Sequence, residues 1–461
     1  MASDITPAQQ AFINAIQQKV STFLGTKLDG NFQVVNYPAG FNYGITYGAN
    51  AYWNEATLQD IDTLLSVGDN GQLQLNGGGF SGFYARLLPS VTFSFSSADN
   101  NTMNQQDQAA QAQIASVLTE FTNAGGTFTN PLPFGGKIQD VFNQMISEFG
   151  SLSAIPASLN ALRNAIAAYQ AIAAESYALH NKYYTATAYL NAAIANVTAP
   201  TAKNGGMQVD SANYYVGYTP NKLPTANQLI GSLNTAGNSV SVDIAISNFR
   251  SSASEMKISG GVGFSIPIAE IISFSLNASA SYDVSKYVSS SSALTMNISY
   301  PGVTLFPSIP SIVSIDNSQG WYANDILQEV VANTGKDVTG YKLQGSEYNI
   351  NDVFGVGKLF SRLKTFVISQ QPTIKLTFTG SDVDDIVSDF KVNASAKVDL
   401  FGLFTLGSAS GSYSVQNVDT KSQAGAVIVT FGPPAPSGTI PLQQQVAYVM
   451  GGVPSYPPNN V

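Results

Sequence analysis

The chain has 461 residues, of which 44% are hydrophobic and only 11% are charged. An average globular protein has about 25% charged residues, so uncharged Ser, Thr, Asn, Gln and Gly must supply most of the polar surface here. The length exceeds that of one ordinary domain and predicts two or three domains, each with its own hydrophobic core.

The charge balance excludes several classes of partner. The 29 acidic and 20 basic residues give a formal net charge of −9, and Lys and Arg do not cluster. Nucleic-acid binding normally needs a basic patch, so we expect no nucleic-acid partner. The negative charge also disfavours attachment to anionic lipid. Because few charges keep copies of the chain apart, the composition favours a homo-oligomer.

The absence of cysteine excludes disulfides and thiolate metal sites. The first seven residues lack the basic and apolar regions of a secretory signal, so we expect a cytoplasmic protein, or one released without a general secretory signal peptide. No run of about 18 or more uncharged apolar residues occurs, so the sequence predicts no membrane-spanning helix.

Residues 1–200 predict a helix-rich domain with a small β element. Thr6, Pro7 and Gln9 have the spacing of an N-cap, a first-turn proline and a capping box, and Gly25 marks the end of the helix. The domain therefore begins with a helix that the sequence delimits at both ends.

Two glycine-rich segments, 32–47 and 73–95, predict the strands of the small β element, and helices resume near residue 105. From 157 to 197 neither Pro nor Gly interrupts an Ala-rich run, which predicts one helix about 60 Å long or a helical hairpin. Residues 201–238 are rich in Pro, Asn, Gly and Tyr, a composition typical of a linker or a long ordered loop.

The second half of the chain contains two collinear segments of similar sequence. The matched pairs are 240–246 with 374–378 and 256–258 with 390–392 at an offset of 134 residues, then 278–284 with 409–415 and 297–300 with 428–431 at an offset of 131. We therefore predict an α+β protein, in which the helix-rich N-terminal domain precedes duplicated antiparallel β-sandwich-like modules.

The first copy of this module spans residues 239–305 and the second spans 373–433. A mixed segment with helical and strand patterns, 306–372, connects the two copies. A Pro-rich tail, 434–461, follows the second copy. Its apolar residues predict that it either docks on a neighbouring copy of the chain or folds back on its own chain.

Apolar and polar residues alternate without a break from 272 to 284, which predicts one strand with an apolar and a polar face. A transmembrane strand needs about 9 to 11 such residues, so the hairpin at 271–300 resembles the insertion hairpin of β-barrel pore-forming toxins. The resemblance implies a membrane as the partner. The membrane-insertion candidates are Ile272, Phe274, Leu276, Tyr282 and Val284.

No motif predicts a catalytic residue or a bound cofactor. The single histidine, His180, has no second His or Cys with which to bind a metal. Asp382, Asp384 and Asp385 could offer oxygen ligands to calcium, but they lack the ligand order of an EF-hand. Such aspartates more commonly stabilise turns or cap helices. We therefore expect no enzyme, no cofactor and no resident metal.

Three functions remain compatible with the sequence. The first is a non-catalytic, self-assembling structural protein that forms regular particles or filaments through its β modules and tail, since sparse charge leaves strand edges unprotected. The second is a β-barrel pore-forming toxin that uses the 271–300 hairpin. The third is a carbohydrate-binding or sugar-cleaving protein, because 22 Tyr and 25 Phe could stack against sugars and paired carboxylates need only a suitable separation in space.

Overall fold

The computed structural model describes residues 5–42, 55–62, 64–67, 73–76, 79–125, 137–218, 224–249, 254–259, 261, 263–276, 280–345, 347–380, 383–392, 394–402, 404–406, 413–421, 425–433 and 446–459.

The helices in this part of the chain are α1 (Pro7–Leu24), α2 (Glu55–Asp62), α3 (Phe80–Leu87), α4 (Ser97–Ala109), α5 (Gln111–Asn123), α6 (Ile138–Phe149), α7 (Asn160–Ile172), α8 (Ala174–Thr198), α9 (Ala226–Leu233), α10 (Ile268–Ile271), α11 (Asn324–Asn333), α12 (Ile350–Val353) and α13 (Val383–Asp389).

The strands are β1 (Gln33–Asn42), β2 (Leu64–Val67), β3 (Leu73–Asn76), β4 (Val91–Ser94), β5 (Met207–Gln208), β6 (Tyr214–Tyr215), β7 (Ser239–Ser247), β8 (Ser254–Ile258), β9 (Gly263–Ile266), β10 (Ile272–Leu276), β11 (Ala280–Asp283), β12 (Ala293–Pro301), β13 (Thr304–Pro307), β14 (Gly340–Leu343), β15 (Arg362–Ser369), β16 (Thr373–Thr379), β17 (Ser395–Leu400), β18 (Phe404–Leu406), β19 (Tyr413–Lys421), β20 (Ala426–Gly432) and β21 (Val446–Ser455).

The predicted α+β class with a helical N-terminal half is confirmed. Helices α4 to α8 follow one another, and most of the strands come after residue 238. The segment predicted as a linker or ordered loop contains the short β5–β6 pair and helix α9. Helix α1 has the predicted capping box: the Gln9 amide nitrogen donates to Thr6 Oγ1, and the Thr6 amide nitrogen donates to Gln9 Oε1.

Both predicted β modules contribute to one continuous sheet. Its eleven strands run in the order β11-β10-β17-β19-β20-β16-β12-β7-β8-β9, with β18 paired to β17. In a flat sheet, β9 and β10 would lie about 38 Å apart. The chain from Ile266 to Ile272 reaches at most about 20 Å. The sheet must therefore curl until its two edges approach each other.

A strand pair with one register occurs twice in this curled sheet. In the first copy, Val242 of β7 lies opposite Ile298 of β12. In the second, Leu376 of β16 lies opposite Val429 of β20. These two pairs are related by the offsets of 134 and 131 residues found in the sequence. The sequence match therefore corresponds, in this part, to a repeated antiparallel strand pair.

The elements that flank the repeated pair differ. Strand β8 follows β7, whereas helix α13 follows β16. Tyr282 lies in β11, opposite Phe274, and β11 is the last strand at one end of the sheet. The matching Tyr413 lies in β19, opposite Ala396, and β19 has a neighbour on each side. The two copies therefore share a strand pair and diverge around it.

The prediction of one unbroken strand from 272 to 284 is wrong. Strands β10 and β11 pair antiparallel, from Ser273 opposite Asp283 to Leu276 opposite Ala280. Opposed residues in this hairpin are both odd-numbered or both even-numbered. Since directly opposed residues share a face of the sheet, the period-two alternation continues through the reversal. The sequence pattern could not distinguish one strand from this hairpin.

Helix α1 packs against the inner face of the curled sheet. Phe12, Ile16 and Val20 are buried in a core with the apolar faces of the sheet strands. The ring of Phe12 lies 4.7 Å from that of Phe401, and Gln9 Nε2 donates to the Phe401 carbonyl at 2.6 Å. The N-terminal helix thus bridges to the turn after β17.

The C-terminal tail folds back on its own chain. Strand β21 pairs with β15 on one side and β1 on the other, in a six-stranded sheet of order β13-β15-β21-β1-β3-β2. Ala447 and Val449 join one core, and Tyr448 and Met450 join the core under the curled sheet. Burial on both faces explains why the strand reads as a continuous apolar run. Residues 434–445 of the predicted tail lie outside the described residues.

The helical half has its own core, formed by α5, α6, α7 and the first part of α8. The predicted helix at 157–197 divides at Ala173 into α7 and α8. The first part of α8 belongs to the helical core, and its last part packs in the central core beneath the six-stranded sheet. A single residue between the two helices is too short for a hairpin loop, so the helix is bent rather than folded back.

Candidate functional site: the groove between α8 and α11

An open groove lies between α8, α11 and the loop formed by residues 311–322. We call these features the α8–α11 groove and the 311–322 loop. The groove has a volume of about 660 Å³, within the range of small-molecule and peptide pockets. One long wall comes from α8, the opposite wall from α11, and the loop forms part of the rim.

Two aromatic residues contribute to the apolar surface of the groove. Phe93 of β4 and Tyr341 of β14 are nearly buried, and their rings meet edge to face at 5.3 Å. They are brought together because β4 and β14 pair antiparallel with Phe93 opposite Tyr341. The Tyr341 hydroxyl donates to the Ala186 carbonyl of α8 at 2.8 Å, which fixes the ring against that wall.

Carboxylates line the α11 side. Asp325 and Glu329 are four residues apart, so they project from the same face of the helix. The Tyr189 hydroxyl donates to Asp325 Oδ1 at 2.9 Å, and the Tyr341 amide nitrogen donates to Glu329 Oε2 at 3.2 Å. Burial and the bond to Asp325 raise the pKa of Tyr189, so its phenol keeps the proton that it donates.

A cation lies on the opposite wall. The ammonium of Lys182 is 5.9 Å from the ring centre of Phe93, close enough for a cation–π contact. Within the described part of the chain, no carboxylate lies within ion-pair distance of Lys182. The groove therefore combines an aromatic surface with a positive charge on one side and two carboxylates on the other.

The 311–322 loop is held in one shape by its own hydrogen bonds. The Val313 amide donates to the Tyr322 carbonyl at 3.1 Å, and the Ser314 amide donates to the Gln319 carbonyl at 2.8 Å. Asp316 Oδ1 accepts from the hydroxyls of Ser314 and Ser318. Those two hydrogen bonds lower the pKa of Asp316 to about 2, so the loop carries a fixed negative charge at neutral pH.

This ordered loop exposes large apolar side chains. Ile315 is fully exposed and Ile312 is 64% exposed, whereas Val313 between them is buried. Ile315 also lines the rim of the groove. Burying an isoleucine typically stabilises a protein by about 1.5 to 3 kcal/mol, so exposing two of them on a rigid loop is unfavourable unless another surface covers them.

The sequence did not predict this site. Its residues come from β4, α8, α11, β14 and the loop, which lie far apart along the chain. The one available signal was the four-residue spacing of Asp325 and Glu329 in a segment with helical periodicity.

His180 lies in the helical core rather than in this groove. Its side chain is 3% exposed, and Nε2 lies 3.4 Å from Asp107 Oδ2 of α4. Asp107 Oδ1 also accepts from the hydroxyls of Tyr169 at 2.5 Å and Ser176 at 2.6 Å. Burial raises the pKa of Asp107, but the hydrogen bonds from His180, Ser176 and Tyr169 outweigh it and hold the pKa below its ordinary value.

The hydrogen bonds of Asp107 lie at the junction between α7 and α8. Tyr169 and Ser176 flank Ala173, and the Ser176 amide donates to Gln106 Oε1 at 2.9 Å. Gln106 and Asp107 of α4 therefore anchor the bend. Because Ser176 donates directly to Asp107, the three side chains do not form the Ser–His–Asp relay of a hydrolase.

A second carboxylate, Asp62, is buried in the central core. It accepts four hydrogen bonds: from the Ser81 amide at 2.9 Å, the Ser81 hydroxyl at 2.6 Å, the Tyr218 hydroxyl at 2.5 Å and the Tyr215 hydroxyl at 3.1 Å. Burial nevertheless raises the pKa of Asp62 above its ordinary value. The cluster joins α2, α3 and the strand pair β5–β6.

The calcium candidates lie at the start of α13. Asp384 and Asp385 occupy its first turn, where carboxylates favour the positive end of a helix, and Asp382 lies outside the described residues. Asp389, at the other end of α13, accepts from Lys286 Nζ at 2.6 Å and the Tyr287 hydroxyl at 2.8 Å. In the part of the chain that the structure describes, no group of three His, Asp or Glu side chains could hold a metal ion.

The membrane-insertion candidates are mostly in the core. Ile272, Phe274, Leu276 and Val284 are buried under the curled sheet. Tyr282 lies in β11 opposite Phe274, and its side chain is outside the described residues. Among the helices of the described ranges, none is both long enough and apolar enough to cross a membrane.

Comparison with known proteins gives no relative for this chain: no family model, no curated protein and no solved structure matches it.

Proposed function

We propose that the protein is a non-catalytic structural protein that assembles with copies of itself into regular particles or filaments. The observation that carries this proposal is the fully exposed Ile315 on an ordered loop. The hydrogen bonds of the 311–322 loop support the loop conformation in which Ile315 is exposed. An apolar side chain that is held in water in this way gains free energy when a second surface covers it.

A second apolar patch makes growth beyond a dimer feasible. Val356 is 74% exposed and Leu359 is 46% exposed, in the segment between α12 and β15. Particles and filaments need at least two contact surfaces per subunit unless one surface alone generates a ring or a helix. The 311–322 loop and the 356–359 segment are the two surfaces that we assign to assembly.

The sheets supply the rigid body of the subunit in this proposal. The curled sheet brings its edges together, which limits their use as templates for strands of another chain. Strand β21 of the tail already has a partner on each side. Contact between subunits is therefore assigned to apolar loops rather than to sheet edges or the tail.

Membrane insertion receives less support. The apolar side chains of Ile272, Phe274 and Leu276 would have to leave the core, and β10 would have to separate from β17, with which it pairs over its full length. A protein of the pore-forming class would have to offset that loss by membrane burial.

The test is the assembly state of the Ile315→Asn and Val356→Asn variants. We expect large particles or filaments from the wild type and discrete dimers from Val356→Asn, whereas Ile315→Asn retains the contact of the 356–359 segment and should form small discrete oligomers. Multi-angle light scattering after size exclusion, followed by negative-stain imaging, measures all three. Melting temperatures should agree, because both side chains are exposed and exposed substitutions change stability by about 0.5 kcal/mol or less.

Ile172→Asn is the matched control. Ile172 is 46% exposed at the end of α7 and belongs to neither patch, so this variant should assemble as the wild type does. A wild type that stays monomeric at all soluble concentrations refutes the proposal. Leakage of liposomes caused by such a monomer would instead support the pore-forming alternative.

A further inference from the structure

We propose that the tip of the 311–322 loop of one copy seats in the α8–α11 groove of a second copy. The inference rests on the proposed function and specifies its contact: the occupant of the groove is this protein itself, and the two copies exchange tips reciprocally.

The chemistry of the tip matches that of the groove. At the tip, apolar Ile315 is followed directly by Asp316, which remains ionised because of its hydrogen bonds to Ser314 and Ser318. In the groove, the apolar ring of Phe93 lies 5.9 Å from the ammonium of Lys182. An apolar side chain next to a negative charge thus meets the α8 wall, where an apolar ring lies near a positive charge. The carboxylates of Asp325 and Glu329 lie on the opposite α11 wall, where they accept from the Tyr189 hydroxyl and the Tyr341 amide.

The geometry points to a two-fold contact. Ile315 projects from the rim of the same groove that we expect to receive it from another copy. A surface that carries a projection beside a cavity is self-complementary, because a two-fold rotation places each projection over the other cavity. Dimers built in this way leave the 356–359 segments free for further growth.

The absence of cysteine makes the contact directly measurable. We expect an Ile315→Cys chain and a separate Thr185→Cys chain, mixed under mild oxidation, to form a disulfide between positions 315 and 185 of different chains. Thr185 is an exposed residue of the α8 wall. The two substitutions are kept on separate chains because both positions line one groove, so that only contact between copies is scored. An Ala178→Cys chain should also cross-link to position 315, whereas an Ile172→Cys chain should not.

Charge variants test the same contact without cysteine. Lys182→Glu should weaken the dimer at least about tenfold, since it places like charge opposite Asp316. Lys182→Gln should weaken it less. Both changes are made in the Val356→Asn chain, which stops at the dimer, and the dissociation constant from sedimentation at low and high salt measures both effects. The salt dependence of the Val356→Asn dimer should be lost when Lys182→Gln is added.

The outcomes separate this inference from the proposed function. Assembly of the wild type without a 315–185 cross-link, and with Lys182→Glu as strong as the wild type, overturns the groove contact and leaves assembly standing. A monomeric wild type overturns both. Saturable binding of dodecanoate to a monomeric wild type, lost in Lys182→Glu, would assign the groove to an anionic amphiphile and overturn the inference.

Discussion

Asp62 and Asp107 are carboxylates in two regions of the molecule, and their surroundings shift their pKa values in opposite directions. Asp62 is buried in the central core, and burial raises its pKa despite four donated hydrogen bonds. Asp107 lies in the helical half with its side chain 20% exposed. There the donors outweigh burial and lower the pKa.

The difference shows that the number of hydrogen bonds does not by itself decide the cost of ionising a buried group. Asp62 has four donors and Asp107 has three, yet Asp107 is the one whose ionised form is favoured. Partial contact with solvent reduces the desolvation penalty of Asp107, and nearby His180 adds an electrostatic contribution. Ionising Asp62 in the central core is therefore less favourable than ionising an ordinary Asp, whereas ionising Asp107 in the helical half is more favourable.

The largest effect is expected from Asp62→Ala, which strands four donors of Ser81, Tyr215 and Tyr218 in the core. We expect a loss of about 4 kcal/mol in the free energy of unfolding, because buried donors without partners are costly. Urea unfolding followed by circular dichroism measures it. Glu55→Ala, an exposed change on the same helix, should cost about 0.5 kcal/mol or less. Similar losses in the two variants would contradict the buried role of Asp62.

His180→Ala should give an intermediate effect in the other region. The change removes a buried ring that packs against Phe142 and Tyr184, and it removes one interaction of Asp107. We expect a loss of about 2 kcal/mol in unfolding free energy and no change in assembly. Light scattering and urea unfolding on the same preparation measure both. Abolished assembly with unchanged stability would show that His180 has a functional rather than a packing role.

The smallest effect, the pH dependence, separates the two carboxylates most sharply. The folded-state pKa of Asp62 is raised, so its contribution to stability is complete below the ordinary value of 3.8 and declines as the pH rises through the folded value. The pKa of Asp107 is lowered, so its contribution is complete above 3.8 and is lost as the pH falls through its folded value.

The Asp62→Asn and Asp107→Asn variants, compared with the wild type, reveal how each carboxyl group changes the free energy of unfolding with pH. The stability difference between wild type and Asp62→Asn should shrink as the pH is raised above 3.8. The difference between wild type and Asp107→Asn should shrink as the pH is lowered below 3.8. Slopes of the same sign in both variants would show that the two regions do not differ in the way described.

Local sequence patterns were sufficient to predict several individual elements. The capping box of Thr6 and Gln9 predicted α1, and the matched segments at 240–246 and 374–378 correspond to strands with one register relative to β12 and β20. These features follow from contacts within a few residues or from a repeated pattern, so they can be read without knowing the fold.

Long-range contacts determine the division of 272–284 into a hairpin, the curl of the sheet and the place of β21 within the molecule. The α8–α11 groove also forms only through long-range contacts, because Phe93 and Tyr341 are 248 positions apart in the sequence and meet only in the folded chain. The physical reason is that period and propensity specify which face of an element is buried, while the element that covers this face depends on contacts far along the chain.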